Sequence, residues 1–64
     1  MIFIPATGQA ARILQREAEK SQRVPHRTFS GPCNVLYEYY DDGWLRKTTG
    51  LETDKKIVEW YEVL

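Results

Sequence analysis

The chain has one cysteine, one histidine and no net charge, and each scarcity excludes something. Cys33 alone can build neither a disulfide framework nor a Cys-only zinc site, and a lone thiol suits a reducing cytosol. His26 alone could act as a general base only with an acid or nucleophile brought to it by the fold, and nothing nearby in sequence supplies one. Cys33, next to Pro32 at the expected start of a strand, reads as a packed small hydrophobe rather than a thiol–imidazole partner of His26. There is no glycine-rich phosphate loop, no zinc-type Cys/His spacing and no nucleophile elbow. The sequence therefore predicts a protein that is not an enzyme and holds no metal or cofactor. Long apolar runs are also missing. Met1-Ile2-Phe3-Ile4 lacks the basic flank and length of a signal peptide, and nothing approaches a membrane span. The expectation is a cytoplasmic protein with no membrane contact.

Sixty-four residues predict a single domain, 1–64, near the lower size limit. Such a chain buries only roughly 60% of its unfolded surface, so its core is marginal. What it has in quantity is aromatic side chains. Six of the eight lie between Tyr37 and Tyr61, more ring surface than a small sheet can hide. Charge is divided as well. Residues 1–32 carry five cations against Glu17 and Glu19, and residues 33–64 carry four against seven acids. The two halves attract each other or the opposite half of a second copy, and a balance of this kind does not mark a nucleic-acid binder.

Ile2–Ile4 reads as a short strand stopped by Pro5. Thr7 is the expected N-cap of a helix from Gln9 to about Gln22, ended by Pro25 because the residue before a proline avoids the α region. Its apolar stripe, Ala10, Ile13, Leu14 and Ala18, is narrow. Val24–Pro32 reads as an ordered loop, with a short edge strand around Arg27–Phe29 as the alternative. Asn34–Asp41 and Trp44–Thr49 form a hairpin around Asp41-Asp42-Gly43 in one of two registers. A two-residue turn pairs Glu38 with Lys47; a bulge at Gly43 pairs Tyr40 with Trp44 and Glu38 with Arg46. Lys56–Leu64 is the last strand, with Ile57, Tyr61 and Val63 on one face and Val58, Trp60 and Leu64 on the other. The predicted fold is α+β: one helix on a three- to four-stranded antiparallel sheet, in the order β-α-β-β-β. One helix covers one face, so the other must be an aromatic surface, a dimer interface or a binding site.

Two groups of residues are candidate partner sites. Arg12, Arg16, Lys20 and Arg23 recur at helical spacing opposite the apolar stripe. Read blandly they are a solvated face, and read functionally they dock phosphates or an acidic protein surface. Tyr37, Tyr39, Tyr40, Trp44, Trp60 and Tyr61 divide between core and surface. Trp44, Trp60 and about half of the tyrosines suffice for the core; the exposed remainder are the residue types of interface hot spots, and partner contacts are expected among Tyr37, Tyr39, Trp44, Trp60 and Tyr61. Stacking of single-stranded bases is the rival use, opposed by Glu38, Asp41, Asp42, Glu59 and Glu62 around the rings. Asp41-Asp42 before a glycine reads as a turn, not a metal or acid–base pair.

The ending DDGWLRKTTG…KIVEWYEVL resembles the tail of small accessory proteins encoded by phages and prophages, which often carry a Gly-Trp hairpin and finish on a hydrophobic-x-Trp strand. The likeness runs from Val35 to Leu64. It implies a compact protein of the host cytoplasm that modulates a host or defence system by binding, as anti-CRISPR proteins do, and it carries over no functional residue. The leading expectation is thus a small non-enzymatic binding protein, an inhibitor acting by stoichiometric contact with a protein partner. A nucleic-acid-binding regulator using the basic helix face and a homodimeric interaction module are the alternatives.

Overall fold

The computed structural model describes residues 1–32, 34–52 and 54–64; Cys33 and Thr53 lie outside them, Thr53 in the polar run Glu52-Thr53-Asp54 that, with Thr49-Gly50, reads from sequence as the turn before the last strand. The elements are β1 (Phe3–Ala6), α1 (Gln9–Lys20), β2 (Arg27–Gly31), β3 (Val35–Tyr39), β4 (Trp44–Thr49) and β5 (Ile57–Val63). They form one helix and a five-stranded antiparallel sheet of order β1-β5-β4-β3-β2. This is the expected α+β fold with more strands than expected. The segment read as a loop is β2, because Pro25 and Pro32 bracket it instead of interrupting it. Arg27 through Gly31 pair residue for residue with Tyr39 back to Val35.

Pro5 does not stop the first strand. Ile2 and Leu64 exchange both backbone hydrogen bonds, at 2.9 and 2.8 Å. By antiparallel alternation Ile4 and Ala6 do the same with β5, and Pro5, opposite Tyr61, falls where an N–H would point away from the ladder. An edge strand tolerates proline at that position.

The helix also begins and ends differently. Its N-cap is Gly8, at φ 59° and ψ −130°, with no side-chain cap; Thr7 does not serve. It closes before Pro25 can act. Gln22 adopts φ 49°, and the Arg23 N–H reaches the Ala18 carbonyl at 3.2 Å, the six-to-one bond of a Schellman motif with Gln22 at the left-handed position. Helix residues therefore stop at Lys20, and Arg23 leaves the stripe to which its spacing assigned it.

The hairpin takes the bulged register. Glu38 faces Arg46 and Tyr39 faces Leu45, the Tyr40 N–H donates to Trp44 O at 2.8 Å, and Gly43 sits at φ 92°. Since β1 and β2 are the two edges, α1 must carry the chain across one whole face of the sheet. It packs there through Ala11, Leu14 and Ala18 against Trp60, Tyr40, Trp44 and Ala6. Leu14 and Ala18 hold their expected places in the stripe, but Ile13 is 53% exposed and Ala10 is exposed too, while Ala11 turns inward beside Ala18. Their small size lets the helix approach Trp60 closely, and Gln15 between them accepts a hydrogen bond from Trp60 Nε1 at 3.0 Å.

Candidate interaction surface

Cross-strand partners share a face, so the registers divide the side chains without ambiguity. On the helix side lie Ile4 and Ala6, Thr28 and Ser30, Leu36 and Glu38, Trp44, Arg46 and Thr48, and Val58, Trp60 and Glu62. Tyr40 continues this set. The open side carries Phe3 and Pro5, Arg27 and Phe29, Val35, Tyr37 and Tyr39, Leu45, Lys47 and Thr49, and Ile57, Glu59, Tyr61 and Val63.

The helix side is a core with a charged seam. Trp60 and Tyr40, 2% and 1% exposed, stack at 5.5 Å between centroids and 25° between planes. Arg46 donates from Nε and Nη2 to both carboxylate oxygens of Glu38 at 3.0 Å, a bidentate pair in a partly buried setting. Its guanidinium also lies 5.5 Å from the Trp60 ring. Burial pulls the Arg46 pKa down, but its hydrogen bond to Glu38 and that carboxylate's charge outweigh burial and raise it above the usual arginine value. Arg23, released from the helix, covers Tyr40 at 4.5 Å from its centroid and binds Asp42 at 2.8 Å. Tyr40 is thus held between Trp60 and a guanidinium, yet its hydroxyl is buried with no hydrogen-bond partner among the described residues. Burial raises its pKa above the usual tyrosine value of 10.0.

These placements revise the candidate site. Trp60 is enclosed and does not offer a partner its ring, while Trp44 packs against the same cluster and stays half-buried. Arg23 is committed to Tyr40 and Asp42. Tyr37, Tyr39 and Tyr61 are brought together on the open face. They are joined by Phe3, Phe29, Leu45 and Val63, which had no distinguishing signal in the sequence beyond being apolar. Phe3 and Phe29 are 50% and 51% exposed. Met1, Phe3, Phe29, Tyr37, Tyr39, Leu45 and Val63 line a groove of about 500 Å³, with His26 and Arg27 at its rim. At its side Tyr61 donates from its hydroxyl to Glu59 at 3.2 Å; burial, then this bond and the Glu59 charge, raise the Tyr61 pKa.

The acids expected to guard these rings mostly do not. Glu38 and Glu62 belong to the helix side and Asp41 and Asp42 to the turn, which leaves Glu59 with Arg27 and Lys47 among the rings. Arg12, Arg16 and Lys20 are exposed on the helix and make no ion pair among the described residues. Arg12 and Arg16 border a second cleft of about 370 Å³ with Glu19, Val58 and Trp60. Among the described residues no group of His, Cys, Asp and Glu could hold a metal ion, and no helix is long and apolar enough to cross a membrane. Cys33, and with it any pairing to His26, lies outside the described residues.

The class these observations define is a small α+β fold with a half-covered antiparallel sheet. No family model matches the chain, and no curated protein or solved structure matches it at a significant level.

Proposed function

We propose that the chain is a non-enzymatic binding protein whose contact surface is the open face of the sheet. The observation that carries this reading is the segregation of the rings. Tyr40, Trp44 and Trp60 complete the core, while Phe3, Phe29, Tyr37, Tyr39 and Tyr61 are set on the opposite face around an apolar groove. Contiguous apolar surface of this kind on a small protein marks an interaction site, and tyrosine-rich centres supply hot-spot contacts. The ligand class is a protein surface, and the action is stoichiometric occlusion, consistent with the resemblance of Val35–Leu64 to phage-encoded modulators of host or defence systems.

The alternative places nucleic acid on the helix, where Arg12, Arg16 and Lys20 stand free of ion pairs among the described residues. Affinity capture from the native host separates the two. Leu45→Glu, in the middle of the open face, should abolish capture, while a triple Arg12→Ala, Arg16→Ala, Lys20→Ala variant should retain it. The reverse pattern would move the site to the helix.

A further inference from the structure

We propose that the occupant of the open face is a second copy of this chain, in a face-to-face twofold dimer. The inference rests on the reading of that face as an interaction surface and names what fills it.

The area is of the right size. The chain weighs 7.5 kDa and exposes 4944 Å². A folded monomer of that mass exposes about 4200 Å² by the scaling of surface with mass. The excess, roughly 700 Å², approaches the ~800 Å² that each partner contributes to a standard interface. On the face with no helix over it, Phe3, Phe29 and Ile57 are each half exposed or more.

The charges fit a copy of the same face. Lys47 and Glu59 are direct cross-strand neighbours on β4 and β5, yet they form no ion pair with each other among the described residues. Consider a twofold axis running along the strands midway between β4 and β5. It lays β4 of one copy over β5 of the other, so Lys47 meets the partner's Glu59, and Glu59 meets the partner's Lys47. The same operation sets Leu45 over the partner's Tyr61. In a sheet of order β1-β5-β4-β3-β2, this axis also lays β1 of each copy over β3 of the other, and leaves β2, with Arg27 and Phe29, at the rim of the interface. Aligned sheets pack about 10 Å apart, a gap that a lysine and a glutamate meeting end to end can span. Zero formal net charge removes long-range repulsion between copies. The product is a four-layer sandwich, helix–sheet–sheet–helix, with Arg12, Arg16 and Lys20 turned outward on both sides.

Sedimentation of the full chain across micromolar concentrations reads the proposal directly. The wild type should sediment at twice the chain mass, and Leu45→Glu should be monomeric. Lys47→Glu and Glu59→Lys should each weaken self-association by about tenfold or more, since two like-charge contacts replace two attractive ones. Each single variant also sets like charges side by side within its own chain, so far-UV circular dichroism must show both folded. The decisive step mixes the two variants. The twofold geometry then sets the carboxylate introduced by Lys47→Glu against the ammonium introduced by Glu59→Lys, and the unaltered Glu59 of the first chain against the unaltered Lys47 of the second. The mixture should therefore form a heterodimer with wild-type affinity. A mixture that stays monomeric overturns the proposal, as does a wild-type monomer at every concentration. If that monomer captures a host protein and Leu45→Glu abolishes capture, the dimer falls and the protein-binding reading stands. If it instead binds a fluorescent single-stranded oligonucleotide on this face, the dimer falls in favour of base stacking. If Leu45→Glu changes neither mass nor any binding, both readings fall.

Discussion

Tyr40→Phe should stabilise this protein, although it alters one of the most buried side chains in it. The ring is 1% exposed, lies between Trp60 and the Arg23 guanidinium, and keeps both contacts as phenylalanine. What the substitution removes is a buried hydroxyl without a partner among the described residues. Arg46 stands beside the hydroxyl and offsets part of the pKa rise caused by burial, but its Nε and Nη2 are directed at Glu38, and no hydrogen bond to the Tyr40 oxygen forms. Burying an unpaired hydroxyl costs about 1–3 kcal/mol by protein mutational data. Recovering about 1 kcal/mol of that would raise the melting temperature by roughly 4–8 °C in a domain of this size. The pH dependence supplies an independent check. The folded-state pKa of Tyr40 is raised above 10.0 by burial, so between the unfolded and folded values the native state holds a proton that the unfolded state has released. Stability must therefore fall as pH rises through that window. Phenylalanine has no such proton, so the advantage of Tyr40→Phe should widen above about pH 10. Thermal melts followed by circular dichroism at neutral and alkaline pH measure both quantities. A variant less stable than the wild type at neutral pH would refute the reasoning, because it would mean the hydroxyl is satisfied.

The remaining predictions follow from single residues. Gln22→Gly should stabilise the fold by about 1 kcal/mol, since a non-glycine residue in the left-handed region costs roughly 1–2 kcal/mol; an unchanged melting temperature would contradict the Schellman assignment. Glu38→Gln should destabilise by about 1–3 kcal/mol in denaturant titration, because it withdraws the carboxylate from a partly buried Arg46. If the basic helix face binds nucleic acid, three phosphate contacts by Arg12, Arg16 and Lys20 would give a slope of about −2.7 in log affinity against log salt on duplex DNA; a flat response removes that alternative.

Much of the sheet was legible because period two needs only residue order. Tyr61 and Val63 against Trp60 and Leu64, and Tyr37 and Tyr39 against Tyr40, separate by alternation alone. The Gly43 turn limited the hairpin to two registers, and the cation facing Glu38 could not choose between them because Arg46 and Lys47 are adjacent. What alternation cannot give is which face the helix takes when both are apolar. That depends on Ala11 and Ala18 being small enough to seat a helix over Trp60, a fit between distant segments. Arg23 misled for a local reason: three residues past Lys20 it shares the basic stripe only if the helix continues, and Gln22 turns left-handed before it can. Phe29 was masked by its prolines, which bracket an edge strand as readily as they punctuate a loop.

The open face follows from the size of the chain as well as from its sequence. A helix of 12 residues is about 18 Å long and about 10 Å wide, enough to cross the sheet once. Five strands spaced by about 4.8 Å present two faces of similar extent, and the described residues hold no second helix for the other. Evenly spread rings would leave the helix-side core short of its two largest side chains. A polar open face would leave β2 and β3, beyond the helix's closest contacts with β5, with little apolar surface to bury. Placing Tyr37, Tyr39, Phe29 and Leu45 there lets neighbouring side chains shield one another along β2, β3 and β4 while the face stays uncovered. The arrangement that steadies the far edge of this sheet is therefore the same one that leaves its rings uncovered, and if a second copy covers them as proposed, the melting temperature should rise together with the fraction bound. A melting temperature that rises with protein concentration in the wild type but not in Leu45→Glu would show the two effects to be one.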